Sequence, residues 1–213
     1  MNNINAISHK LAISLLSKLQ RDMELASGRG ISVYITSAVR GEGKTFVAET
    51  LVRYIAALSG YQILLVDANL EDPKLHKYFH VDRENGLSNG IRGGNWEQIQ
   101  FKKTEIENLT ILTAGSDRHA GLVFPQQQVK QFLDFVTKRF DLVFFDGASL
   151  STTGANSLVY LSNGILLVLD SQSTKREVLY DALSDLLSDA DKIIGVVLNK
   201  KLHYIPRIIY RYL

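Results

Sequence analysis

Cysteine is absent from this 213-residue sequence and proline occurs only three times. Without cysteine there is no disulfide framework, no thiolate zinc cluster and no cysteine nucleophile. With so little proline, and no Ser-rich or low-complexity tract, nothing marks a linker or a domain boundary. No run approaches the roughly 18 apolar residues that a membrane-spanning helix needs. The first ten residues, Met1 to Lys10, are polar and hold no apolar signal core. Charge of one sign is lacking too. Lys and Arg number 24 against 22 Asp and Glu, a net of +2, which is too small to point to nucleic acid. With 46% hydrophobic and 22% charged residues, the chain is suited to burying a core and unsuited to wholesale disorder. The expectation is a soluble cytoplasmic protein of one domain, spanning 1–213.

Apolar runs of strand length recur at Ile31–Thr36, Gln62–Asp67, Leu109–Thr113, Leu142–Asp146, Ile165–Asp170 and Ile193–Leu198. They are β-branched or aromatic and apolar on both faces, as strands of a helix-covered parallel sheet are. Between them, apolar residues at a period near 3.6 predict helices over Ile7–Leu25, Lys44–Leu58, Gln126–Arg139 and Lys175–Ala190. Alternating strands and helices mean βαβ units and a doubly wound α/β fold with a mostly parallel sheet. The glycine-dotted stretch Glu84–Glu107 reads as a rim loop with short helical pieces, and Lys102-Lys103 as a solvated corner. Trp96 reads as packing. His9, His76, His80, His119 and His203 are too scattered to suggest a metal site.

After the first strand comes Ser37-Ala38-Val39-Arg40-Gly41-Glu42-Gly43-Lys44-Thr45, followed by a helix. This is the phosphate-binding motif G-x-x-x-x-G-K-[ST] with alanine at its first glycine. Backbone N–H groups must point into one concavity, which favours glycine at Gly41 and Gly43. The helix N-terminus adds partial positive charge. Lys44 can reach β- and γ-phosphates, and the Thr45 hydroxyl can bind Mg²⁺. Arg40, Gly41, Glu42, Gly43, Lys44, Thr45 and Phe46 are therefore the candidate nucleotide-binding residues.

Asp67 and Asp146 each close a strand, and ligands of an open parallel sheet sit beyond the carboxyl ends of its strands. Both aspartates thus fall on the edge that carries the phosphate loop. A Mg²⁺–nucleotide site needs one carboxylate to hold the metal and one to orient or deprotonate an attacking hydroxyl. Each could equally be a turn or cap residue, as Asp170 is read here.

The stretches Ser37–Thr45, Ile63–Phe79 and Leu142–Asp146 resemble the cytoplasmic domain of bacterial tyrosine kinases. These are the P-loop enzymes of capsule and exopolysaccharide production, related to the MinD/ParA ATPases. Leu64-Leu65-Val66-Asp67-Ala68-Asn69-Leu70, then Pro73, His76, Phe79 and Gly86-Leu87-Ser88, look like the family's second Walker motif and its sequel. Gly195-Val196-Val197-Leu198-Asn199 looks like its last strand, and Thr174 and Val178 fit the helix before it. The resemblance runs from about Ile7 to Asn199. It implies a P-loop NTPase fold, ATP and Mg²⁺ as ligands, and Lys44, Asp67 and Asp146 as catalytic residues. Asp67 would activate the tyrosine hydroxyl, Asp146 and Thr45 would serve the metal together with Asp67, and Asn199 would contact adenine. It also implies a membrane-anchored polysaccharide co-polymerase or activator as partner, self-association, and a place at the inner face of the membrane through that partner.

Several positions depart from the family pattern. Asn69 replaces the second carboxylate of Asp-x-Asp, and Glu71 stands where a basic residue is usual. Gly147-Ala148-Ser149 replaces Thr-Pro-Pro after Walker B. Ser14, Ser17 and Gln20 fill the ring-forming positions of the N-terminal helix (1–28). Val39 replaces the signature lysine of the MinD/ParA branch. In the C-terminal segment 203–213, Tyr204, Tyr210 and Tyr212 are candidate phosphoacceptors, yet Ile205, Ile208 and Ile209 suit a segment packed on the domain, and the mix of basic and aromatic residues suits a membrane or partner contact. A tyrosine autokinase and a nucleotide-binding regulatory subunit with little kinase activity both fit; a MinD/ParA-type ATPase fits less well.

Overall fold

A computed structural model describes residues 2–26, 28–116, 125–153, 157–184 and 186–201. The apolar strand runs form a seven-stranded sheet of β1 (Ile31–Ser37), β2 (Ile63–Asp67), β3 (Lys102–Lys103), β4 (Leu109–Leu112), β5 (Leu142–Asp146), β6 (Gly164–Asp170) and β7 (Ile193–Asn199). Their order is β3-β4-β2-β5-β1-β6-β7, parallel throughout except for β3. β1, β2, β4, β5 and β6 are buried along their whole length, which is why they read as continuous apolar runs rather than alternating ones.

Helices cover both faces. On one, α1 (Asn2–Leu25) and α2 (Lys44–Leu58) press Leu15, Leu19, Leu51 and Ile55 onto Ile31, Val33, Leu65 and Phe144. α3 (Leu75–Tyr78) joins this layer through Leu75. On the other face lie α4 (Leu87–Gly93), α5 (Gln126–Thr137), α6 (Leu150–Thr153), α7 (Ser157–Leu161) and α8 (Arg176–Ser184). There Phe132 packs between Trp96, with ring centroids 4.9 Å apart and tilted, and Phe145, edge-on at 6.2 Å. Tyr34, Leu64, Val66 and Val143 complete that layer, the alternate side chains of the same strands.

Three elements differ from the sequence expectation. Lys102-Lys103 is not a solvated corner but the antiparallel edge strand β3, opposite Ile111 and Thr110. Two lysines at an edge discourage further strand addition. The helix expected over Lys175–Ala190 is α8 followed by a 3-10 turn at Leu187–Lys192, where Asp189 leaves helical geometry at φ −118° and ψ 22°. The helix expected from Ile7 starts at Asn2.

The chain leaves β1, crosses through α2 and enters β2, which lies beyond β5; β6 flanks β1 on the other side. The loop after β1 therefore opens where the winding reverses, the place where such sheets bind ligands.

Candidate nucleotide site

Two glycines set the path of the phosphate loop. Gly41 and Gly43 have φ of +87° and +90°, values that side chains with a Cβ resist. Ala38, at the motif's first glycine, is fully buried and keeps a negative φ, so alanine fits there. Its carbonyl accepts from the Ser151 N–H at 3.1 Å, tying the loop to α6. Gly43 caps α2, and Lys44 and Thr45 form the buried first turn.

Glu42 folds into the protein rather than toward solvent. Its carboxylate accepts the Val39 N–H at 2.9 Å, the Asp170 N–H at 3.1 Å and the Thr174 hydroxyl. It binds the loop to the end of β6 and the start of α8. Glu42→Gln turns one acceptor oxygen into an NH₂ that faces a donor. The variant should lose about 1–2 kcal/mol of stability, read as a lower urea midpoint, because an unmade buried hydrogen bond costs that much.

Below the loop lie the two strand-end carboxylates. β2 and β5 pair with Asp67 directly opposite Asp146, and both residues are buried. The Asp67 Oδ2 accepts the N–H groups of Lys74 and Leu75, each at 3.0 Å, so this carboxylate also anchors α3. Three oxygens, Asp67 Oδ1 and both of Asp146, are buried without a hydrogen-bond partner. Burial pushes Asp146 up to about 6, although the Thr45 hydroxyl and the Lys44 and Lys74 charges favour its ionised form without closing a hydrogen bond. Burial and the facing Asp146 raise Asp67 well above the usual range, against three backbone N–H groups. Burial lowers Lys44, while Asp146 and Glu42 pull it back.

Buried oxygens without partners are costly unless a cation meets them. Mg²⁺ takes hard oxygen ligands and typically one or two carboxylates beside substrate phosphates and water. Thr45, Asp146 and Asp67 fit that requirement. Above them a cleft of about 180 Å³ is lined by Gly41, Lys44, Thr45, Asn69, Lys74 and Ser149. It is smaller than the roughly 300–1,000 Å³ of small-molecule pockets, a size for phosphates rather than for a whole nucleotide.

The remaining candidates lie at the rim or behind the loop. Phe46 and Tyr78 are exposed at the cleft mouth. Arg40 lines the cleft and pairs with Glu71. Asn69 closes a local turn, its amide donating to the Asp72 carbonyl at 3.2 Å. Asn199 does not line the cleft; its amide donates to the Glu42 carbonyl at 2.8 Å. Tyr204, Tyr210 and Tyr212 lie outside the described residues. Two groups escaped the sequence reading. Lys200 bridges Gly41 and Asp170, and the ammonium holds Asp170 down to about 2. Asp170, read as a turn residue, is thus part of the loop's support.

Fold and loop together define the class: an α/β protein with the P-loop NTPase fold. No protein-family model matches the sequence. Individual relatives do. The tyrosine-protein kinase YwqD of Bacillus subtilis is 28% identical over 172 residues, covering 80% of this chain and 72% of the relative. The succinoglycan biosynthesis transport protein ExoP of Rhizobium meliloti is 28% identical over 189 residues, 86% of this chain but only 24% of that protein. Among solved structures, the kinase domain of the Escherichia coli tyrosine kinase ETK superposes with a TM-score of 0.74 at 22% identity, covering 93% of this chain and 79% of that one. MinD of Pyrococcus horikoshii, solved with Mg-ADP, gives 0.62 at 18% identity over 86% of this chain and 76% of that one. The sequence is thus similar to those of bacterial tyrosine-protein kinases.

Proposed function

We propose that the chain, as one nucleotide-binding unit, is the ATP-binding module of an exopolysaccharide or capsule assembly system and acts as a tyrosine autokinase. The observation that carries this reading is the buried Asp67–Asp146 pair, set on one sheet rung beneath the phosphate loop. The kinase relatives and ExoP support the substrate class and the setting.

Phosphoryl transfer requires positioning and charge stabilisation more than covalent work by the protein. The loop N–H groups and Lys44 would hold the β- and γ-phosphates. Thr45 and Asp146 would hold Mg²⁺, with Asp67 beside them; bound there, the ion would supply neutralisation of phosphate charge. Asp67 keeps one oxygen on the N–H groups of α3 and has the other without a partner. That second oxygen would take the proton from a tyrosine hydroxyl as its oxygen bonds to the γ-phosphorus and ADP departs. Tyr204, Tyr210 and Tyr212 are the acceptors proposed, and Asn199 would face the base. Among the described residues no helix is long and apolar enough to cross a membrane. A membrane-anchored co-polymerase or activator would bring the module to the inner membrane face.

One observation favours a second reading, a nucleotide-switched regulatory subunit. Asn69 lines the cleft but cannot carry charge, and its amide is engaged in its own turn with Asp72. Intact-mass measurement after incubation with Mg-ATP separates the two. Phosphate on tyrosine, lost in Lys44→Met, supports the kinase. Mg-ATP binding with no phosphate gained, even beside an activator fragment, supports the regulatory subunit. Absence of Mg-ATP binding in calorimetry removes both.

A further inference from the structure

Two peptide planes of the phosphate loop are held from behind by consecutive residues at the end of β7. Lys200 Nζ donates to the Gly41 carbonyl at 2.8 Å, and Asn199 Nδ2 donates to the Glu42 carbonyl at 2.8 Å. In a trans peptide the carbonyl and the following N–H point in opposite directions. Drawing the Gly41 and Glu42 carbonyls toward β7 therefore turns the N–H groups of Glu42 and Gly43 away from it. These are the donors such a loop presents to phosphate.

Lys200 is built into this position at a cost. Its φ is +54°, the left-handed region that non-glycine residues rarely occupy. Strain of this kind persists only where surroundings over-determine it. The surroundings here are specific. The same ammonium donates to Asp170 Oδ2 at 2.8 Å, the Lys200 carbonyl accepts from the Gln172 amide, and the Asn199 carbonyl accepts from Ser171 N–H at 3.0 Å. Asp170 in turn gives its N–H to Glu42, the residue between the two held carbonyls. A Cβ on Gly43 would lie 2.2 Å from Asn199 Nδ2, so loop and clamp fit each other closely.

We propose that Lys200 is a positioning residue for nucleotide binding: from the sheet edge, it presets the phosphate loop through the Gly41 carbonyl without touching the nucleotide. The inference rests on the nucleotide-binding reading above. Preset donors bind more tightly because ordering them is not charged to the binding step. The Lys200 side chain is about half exposed, so water screens its bonds and the effect is moderate.

The test is calorimetry with Mg-ATP and Mg-ADP on the full chain, with thermal unfolding in parallel. Lys200→Ala should raise Kd for both nucleotides about five- to tenfold, and Lys200→Arg should restore most of the loss. The decisive variant is Lys200→Gly. Glycine adopts positive φ without strain, so its nucleotide-free melting temperature should match or exceed that of Lys200→Ala, while its Kd rises at least as much. A merely structural lysine would lose affinity only in step with stability. If Lys200→Ala and Lys200→Gly both bind as tightly as the wild type, or if Lys200→Gly regains affinity along with stability, the proposal is overturned. If wild type itself fails to bind Mg-ATP, the underlying reading has failed.

Discussion

Asp146→Asn should melt at a higher temperature than the unaltered protein at pH 8 without Mg²⁺, and should bind Mg-ATP about tenfold more weakly. The first half follows from burial. The Asp146 carboxylate has no hydrogen-bond partner for either oxygen and is pushed from 3.8 to about 6. Its folded value lies above its unfolded one, so the native state binds more protons between those pH values. Stability contributed by this group is present below about pH 4 and is lost as pH rises to about 6 and beyond. The folded protein at pH 8 therefore carries a penalty that it does not carry at pH 4. Asp67, raised in the same direction by burial and by Asp146, adds to the slope. Asparagine is neutral at every pH and escapes the penalty. The second half follows because the amide cannot supply a charged oxygen to the cation. Melting curves at pH 4 and pH 8 check the claim: the gap in favour of the variant should open only at the higher pH. A variant no more stable than wild type at pH 8 would show that the carboxylate is relieved in some other way.

Lys44→Met should weaken Mg-ATP binding by about a hundredfold while leaving the fold intact. Lys44 is buried and its ammonium is disfavoured by desolvation. Methionine matches the stem in length and removes a charge that the nucleotide-free protein holds at a cost. Stability should therefore change little, because the desolvation relieved is offset by the attraction to Asp146 and Glu42 that is lost with the charge. Affinity behaves differently, because charge-assisted hydrogen bonds to phosphate are among the strong ones and are strengthened where water is scarce. Calorimetry gives the Kd and urea unfolding the stability. Equal affinity in the two proteins would remove Lys44 from the phosphate site.

Much of this was legible from local pattern. β5 is legible to the residue, since four apolar residues followed by an aspartate have no competing helical period. Lys44–Leu58 was legible because Gly43 and the 3.6 period agree on where it starts. The phosphate loop was legible because its chemistry lies within nine consecutive positions. β3 was not, since two residues carry no periodicity. Nor was the support of the loop. Glu42 meets Asp170 across 128 positions and Lys200 meets Gly41 across 159, and no spacing rule links residues so far apart. Glu42 looked like a loop residue facing phosphate, whereas the fold gives its side chain to the interior. Asn69 could be seen to lack a charge, but not that its amide would be spent on Asp72.

The rung that sets Asp67 against Asp146 has an evolutionary corollary. The site is assembled by strand pairing, and strand pairing moves in whole residues: slipping β2 by one position would turn Asp67 to the opposite face of the sheet. Substitutions in β2 and β5 can drift among apolar residues with gradual effect. A single insertion or deletion inside either strand cannot, because it erases one carboxylate from the site at a stroke. Length change in descendants of this chain should therefore accumulate in the connections and leave the count from each strand's start to its terminal aspartate unaltered.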